Sequence, residues 1–311
     1  MIVSASRRTD LPAAHADWLV NRFREGFVLV RNPMNPRQVS RVSLAREDMD
    51  GIVFWTKNPE PLMGQLDVFQ GIPYYFQYTL TGYGRDAEAN LPGHGERIQT
   101  FLRLSEKIGS DRVLWRYDPI LLSGRYSPNW HIEAFRRLAE RLRGAAQRVT
   151  ISFVDTYPKN RARLESLGVQ FISEETMRVM AKEISAIARS NGMQTVSCAE
   201  TIDLSDCGVD HGCCIDADLL SCIGGVPLKP GKDPNQRPAC GCAPSVDIGA
   251  YNTCPNGCLY CYANYSPAFL KSNLAQRNDS SPILCSQITE SDKITPRKPQ
   301  SLKNPQIRMD L

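Results

Sequence analysis

Short apolar runs alternate with amphipathic stretches over the first two hundred residues. Residues 2–5, 51–56, 74–80, 112–117, 149–154 and 194–198 are rich in β-branched and aromatic side chains, and several of these runs are apolar at nearly every position. That pattern predicts strands buried on both faces, as in a parallel sheet. Between them the apolar residues recur at helical spacing. Residues 13–25 predict a helix closed by Gly26, and 96–108 carry Ile98, Phe101, Leu102 and Ile108 before Gly109. Residues 130–147 and 174–190 are similar, the last stopping at Asn191-Gly192 as a helix C-terminus does.

Repeated strand–helix units imply parallel strands joined by right-handed crossovers, hence an α/β fold. The choices are a partial or closed (β/α) barrel of TIM-like type and an open doubly wound sheet. No Gly-x-Gly-x-x-Gly follows any strand, so dinucleotide binding lacks support and the barrel is preferred. In a barrel the functional residues gather at the C-terminal ends of the strands. Lys57, Arg116, Asp118, Asp155 and Glu200 would then share one rim. They would contact substrate or cofactor there, or pair among themselves, Arg116 with Asp118 and Lys57 with Glu200. The aromatic run Tyr74-Tyr-Phe-Gln-Tyr78 reads as core rather than as a base-stacking platform.

With 311 residues, 42% of them hydrophobic, the chain can form one large or two ordinary domains. A net charge of +4 does not by itself indicate nucleic acid. No run is apolar and long enough to span a bilayer. The first ten residues place their arginines after a short apolar stretch, unlike an export signal, so a cytoplasmic location without membrane partners is expected. From Pro267 onward Ser, Asn, Gln, Pro and Lys dominate without apolar periodicity. This predicts one domain over 1–266 and a disordered tail over 267–311, read as a plain solubilising tail in preference to one whose Lys298, Lys303 and Arg308 touch an acidic partner.

Cysteine usage changes the picture most. None of the eleven cysteines precedes Cys198, and ten fall between Cys198 and Cys261. A disulfide framework would be spread along the chain it staples, so this is a localised metal region. Cys254, Cys258 and Cys261 form C-x3-C-x2-C. Three thiolates hold three corners of a 4Fe–4S cluster and leave one iron open. The alternative is structural zinc, but no second C-x2-C pair is present and only His211 of the four histidines lies near. Cys198, Cys214, Cys240 and Cys242 make a second candidate set, enough for another 4Fe–4S cluster or a zinc ion. Cys207, Cys213 and Cys222 compete for membership, several of these thiols can equally be buried apolar groups, and Cys285 reads as a plain thiol in the tail.

The stretch from Thr253 to Tyr262 resembles the radical S-adenosylmethionine (radical SAM) enzymes, with Tyr260 at the aromatic position before the third cysteine. The resemblance implies that S-adenosylmethionine chelates the open iron beside Tyr260. It also implies that reduced flavodoxin or ferredoxin supplies one electron, and that a 5′-deoxyadenosyl radical abstracts hydrogen from a substrate C–H bond. In most such enzymes the cluster loop follows the first barrel strand, whereas here the expected strand at 246–251 and its loop come last. A circular permutation keeps the contacts, since the first and last strands of a barrel are neighbours.

The arrangement resembles domain-of-unknown-function family 1848 over roughly the first 265 residues, a family name that assigns no substrate. Phe54-Trp-Thr-Lys-Asn-Pro59 and Tyr117-Asp-Pro-Ile120 are similar to strand ends of spore photoproduct lyase and its relatives, which repair DNA lesions or have unknown roles. In the permuted order residues 4–10 occupy the place of a Gly-Gly-Glu contact to the methionine amino group. That motif is absent, and Ser6, Arg7 and Asp10 are polar enough to substitute. Thr9 or Asp10 also suits a helix N-cap, with Pro12 in the first turn.

The expectation is therefore a radical SAM-type iron–sulfur enzyme acting on an unidentified substrate, a small molecule in preference to a nucleic acid. Two alternatives stand beside it: an iron–sulfur electron carrier or sensor without S-adenosylmethionine turnover, and a zinc-stabilised nucleic-acid-binding protein.

Overall fold

The computed structural model describes residues 1–303. The chain begins with β1 (Ile2–Ala5), the short α1 (Leu11–Ala14), α2 (Ala16–Glu25) and a hairpin of β2 (Phe27–Arg31) and β3 (Gln38–Ser43). β4 (Gly51–Thr56), α3 (Glu60–Met63), β5 (Tyr74–Thr79), α4 (His94–Ile108), β6 (Val113–Ile120), α5 (Pro128–Arg141) and β7 (Arg148–Phe153) follow. Then come α6 (Arg161–Ser166), α7 (Glu174–Ser190), β8 (Gln194–Cys198), β9 (Asp210–Gly212), α8 (Ala217–Gly224) and β10 (Ser245–Asp247). α9 (Pro267–Ala275) and β11 (Lys293–Pro296) complete the described elements.

Eight strands pair in the order β10-β1-β4-β5-β6-β7-β8-β9, every pair parallel. Alternate side chains leave a strand on opposite faces, and here both faces are covered. Val3, Ile52, Phe54, Phe76, Trp115 and Ile151 join the main core with residues of α2, α4, α5 and α7. Ile2, Val53, Tyr75 and Leu114 face the other way, onto the cysteine-rich segment around α8. This double burial is why these strands are apolar at nearly every position.

The sheet is open, which excludes the closed form of the expected barrel. Its edges β9 and β10 have three residues each and pair only inward. β10 ends sooner than expected because the Asp247 carboxylate takes the amides of Arg7 and Gly249, at 2.8 and 3.0 Å, and turns the chain. The expected helix over 13–25 is split at His15, whose Nε2–H donates to the Thr253 carbonyl at 2.9 Å. The hairpin β2–β3 has no clear periodic signal in its second strand, since the apolar residues of Gln38-Val-Ser-Arg-Val-Ser43 are three apart and not two.

The segment from Pro267 is a correction as well. Over 267–303 it is packed: α9 is capped by Ser266, β11 pairs with β3, and Ile283, Leu284 and Cys285 are buried. Trp18 Nε1 and Arg22 donate to the carbonyls of Ser281 and Ser280 at 2.8 and 3.1 Å. Few apolar residues suffice here because they enter grooves the domain already provides. The end of the expected tail, including Arg308, lies outside the described residues. Among those residues, no helix is long and apolar enough to cross a membrane.

Candidate functional site

A cavity of about 670 Å³ opens at the C-terminal ends of β1, β4, β6, β7, β8 and β10, where parallel α/β sheets place their ligands. It collects every residue expected from sequence. Ser6, Arg7 and Asp10 come from the exit of β1, Lys57 from that of β4, Arg116 and Asp118 from β6, and Asp155 and Glu200 from the ends of β7 and β8. Tyr260 and all seven candidate thiols, Cys254, Cys258, Cys261, Cys198, Cys214, Cys240 and Cys242, lie on the same wall system.

The loop bearing Cys254, Cys258 and Cys261 is held from three sides. Asn90 donates to the Pro255 carbonyl at 2.8 Å, and the Leu259 amide donates to Ala87 at 3.0 Å. Gly257, at φ +69°, takes the left-handed turn a side chain resists, and a Cβ there would meet Asn90 Nδ2 at 2.9 Å. Asn160 and Arg163 donate to the carbonyls of Tyr260 and Cys261 at 3.3 and 2.6 Å. Asn256 donates to Asp10 Oδ2 at 3.0 Å. The three cysteines are free thiols. Burial pushes Cys254 up to about 12 and raises Cys258 as well, against the pull of the Lys57 cation. A metal cation at such thiols supplies the opposite charge their thiolates need.

Asp10 takes the capping role. Its Oδ1 accepts from Ala13 N–H at 3.1 Å and its Oδ2 from Lys57 N–H at 2.8 Å, so it joins three loops rather than reaching into the cavity unpaired. Ser6 and the Arg7 amide are tied to Asp247 at 2.6 and 2.8 Å. Tyr260 is nearly buried, and its hydroxyl donates to Glu88.

Glu88 was missed in the sequence, and it corrects the expected Lys57–Glu200 pair. Lys57 donates to Glu88 at 2.9 Å, Arg97 at 3.1 Å and Thr81 at 2.8 Å. Burial pushes the Glu88 carboxyl up, but the two cations outweigh it and hold it down to about 2. Glu200 accepts from Phe153 N–H at 2.9 Å instead, and burial raises it to about 7. The expected Arg116–Asp118 pair is present, with Nε donating to Oδ1 at 3.0 Å. Asp155 pairs with Arg237 at 2.8 Å.

Two buried polar atoms of cavity-lining residues, Thr9 Oγ1 and Trp55 Nε1, have no protein partner. Among the described residues, no group of three or more His, Cys, Asp or Glu side chains is arranged to hold a metal ion.

The sequence profile described as Domain of unknown function (DUF1848) matches residues 2–263, from β1 through the cysteine loop. The chain belongs to the DUF1848 family. In this family member the match takes in the whole parallel sheet and all three cysteines of the loop, and it ends before α9. A comparison with curated proteins found no match.

Proposed function

We propose that this DUF1848 protein is a radical SAM-type iron–sulfur enzyme in which Cys254, Cys258 and Cys261 hold a 4Fe–4S cluster. The observation that carries the reading is the convergence of three free thiols and the polar strand ends on one cavity. The donor set is of the kind the group takes, three thiols on one braced loop, and the orphaned Thr9 hydroxyl lines the same cavity. When bound, such a cluster supplies one-electron reductive cleavage of S-adenosylmethionine, with reduced flavodoxin or ferredoxin as donor.

The chain's own residues do the positioning. Asp10 and Asn256 hold the loop against the exits of β1 and β4. Glu88 anchors the Tyr260 hydroxyl beside the second and third thiols. Ser6 and Arg7, fixed through Asp247, border the place of a cofactor amino-acid group, and the Arg7 guanidinium is the carboxylate-binding element there. Arg237 and Asp155 face the cavity from the β7 side, where a substrate would be held. The position of β10, parallel and adjacent to β1 with Ile2 opposite Ser245, supports reading the sheet as a partial barrel circularly permuted relative to standard radical SAM enzymes.

The test is the EPR spectrum of anaerobically reconstituted, reduced protein with and without S-adenosylmethionine. A 4Fe–4S signal that changes with the cofactor, and fails to change in Cys258→Ala, is expected. A signal indifferent to the cofactor would leave an electron carrier or sensor. Zinc without iron would leave the zinc-stabilised nucleic-acid binder, which salt-dependent binding would then expose.

A further inference from the structure

The cavity holds four thiols that the proposed cofactor site does not use. Cys198 ends β8, Cys214 follows β9, and Cys240 and Cys242 stand in the loop before β10. The Cys198 and Cys214 sulfurs are 2.6 Å apart. Both are free thiols rather than the two halves of a disulfide, whose sulfurs lie about 2.05 Å apart. The Cys242 sulfur accepts from the Ile215 amide at 3.4 Å, one residue beyond Cys214. Arg116 Nη1 donates to the Cys214 sulfur at 2.9 Å while the same guanidinium grips Asp118. Trp55, packed against this group and beneath the Arg116 guanidinium, keeps its orphaned Nε1–H. Of the other cysteines, Cys207 and Cys285 are in the main core, Cys222 is exposed, and Cys213 lines an adjoining pocket that shares Cys240 but none of the other three thiols.

We infer that Cys198, Cys214, Cys240 and Cys242 bind a second thiophilic metal centre, a zinc ion or an iron–sulfur cluster, with Arg116 as the positioning residue of the Cys214 thiolate. Four thiolates serve either centre, and a cation beside one of them offsets the excess negative charge of the set. The loop between α8 and β10 contains no helix or strand, so the C-x-C pair can close on the metal without disturbing the sheet. This inference does not depend on the first three cysteines.

The full chain is purified without air, with Cys254, Cys258 and Cys261 all replaced by Ala, and its metal and acid-labile sulfide are measured. One zinc per chain, or iron with sulfide, is the expected result and says which centre is bound. Adding Cys240→Ser and Cys242→Ser should remove it. Arg116→Gln should weaken retention against a chelator about ten-fold, with Arg116→Lys recovering part of it. Should the serine variants fail to fold, alkylation of the unmutated protein decides: Cys240 and Cys242 should react only after chelator is added. Metal-free triple variant, equal alkylation with and without chelator, or a Cys198–Cys214 disulfide in protein isolated without air would each overturn the inference. Loss of the cofactor effect on the first cluster's EPR signal would not.

Discussion

Behind the β4–β5 wall of the cavity, Glu88 is surrounded by Lys57, Arg97, Thr81 and Tyr260, and it stays a carboxylate. At the β7–β8 wall, Glu200 accepts from the Phe153 amide and forms no ion pair among the described residues, and burial raises it to about 7 against the pull of Arg237. Both side chains are taken out of water, which by itself disfavours the charged form. The difference lies in what other elements bring to them. Glu88 is part of the scaffold, locking the cysteine loop to the loop before α4. Glu200 keeps one carboxylate oxygen free of protein hydrogen bonds, on a wall whose fixed ion pair is Asp155 with Arg237.

Replacing each glutamate tests this contrast and should give the largest effect. Glu88→Gln leaves Lys57 and Arg97 buried without a counter-charge and should cost about 3–5 kcal/mol. Glu200→Gln should change stability by less than about 1 kcal/mol. Urea unfolding at neutral pH measures both, and equal losses would break the comparison.

His131 sharpens it, being a buried group near the Glu88 wall with no charge partner. Its Nδ1 lies 3.0 Å from the Tyr117 hydroxyl, its Nε2–H donates to the Leu121 carbonyl at 2.8 Å, and burial pulls it down to about 4. In the unfolded chain an imidazole takes its proton near pH ~6.5. Its contribution is therefore complete above that pH and is lost as pH falls toward 4, by about 3 kcal/mol in total. Unfolding free energies across this window should lose that slope in His131→Gln.

Smaller effects are expected at the β1 exit. A Cβ on Gly249 would stand 2.7 Å from Ser6 Cβ, so Gly249→Ala should cost about 1–3 kcal/mol by thermal melting. Asp10→Ala removes a cap and should cost about 1 kcal/mol. Asp10→Asn keeps an acceptor for the Ala13 amide and should cost less in the same melts.

Local chemistry made much of this legible. The strands over 2–5, 51–56 and 194–198 match β1, β4 and β8 residue for residue, and α7 matches 174–190, because buried strands favour short runs of β-branched and small apolar residues and Ser173 and Asn191-Gly192 mark the helix ends. The residues expected at one rim do share a cavity, since a parallel sheet sends every strand's C-terminal end to the same side. Glu88 was invisible because its partners lie 31 residues before it, 9 after it and 172 after it, and no short pattern joins them. The segment over 267–303 misled for a related reason: its composition is polar, and its few apolar residues gain burial from α2 and β2 rather than from one another.

By itself, then, the sequence determined the strand–helix alternation, the parallel sheet and the crowding of cysteines toward one end, all consequences of short-range periodicity and spacing. The tertiary structure decided that the sheet stays open, that Lys57 answers Glu88 and not Glu200, and that two thiol sets face one cavity. Those outcomes depend on the distances between segments far apart in the chain, and charge pairing and burial are decided by such distances.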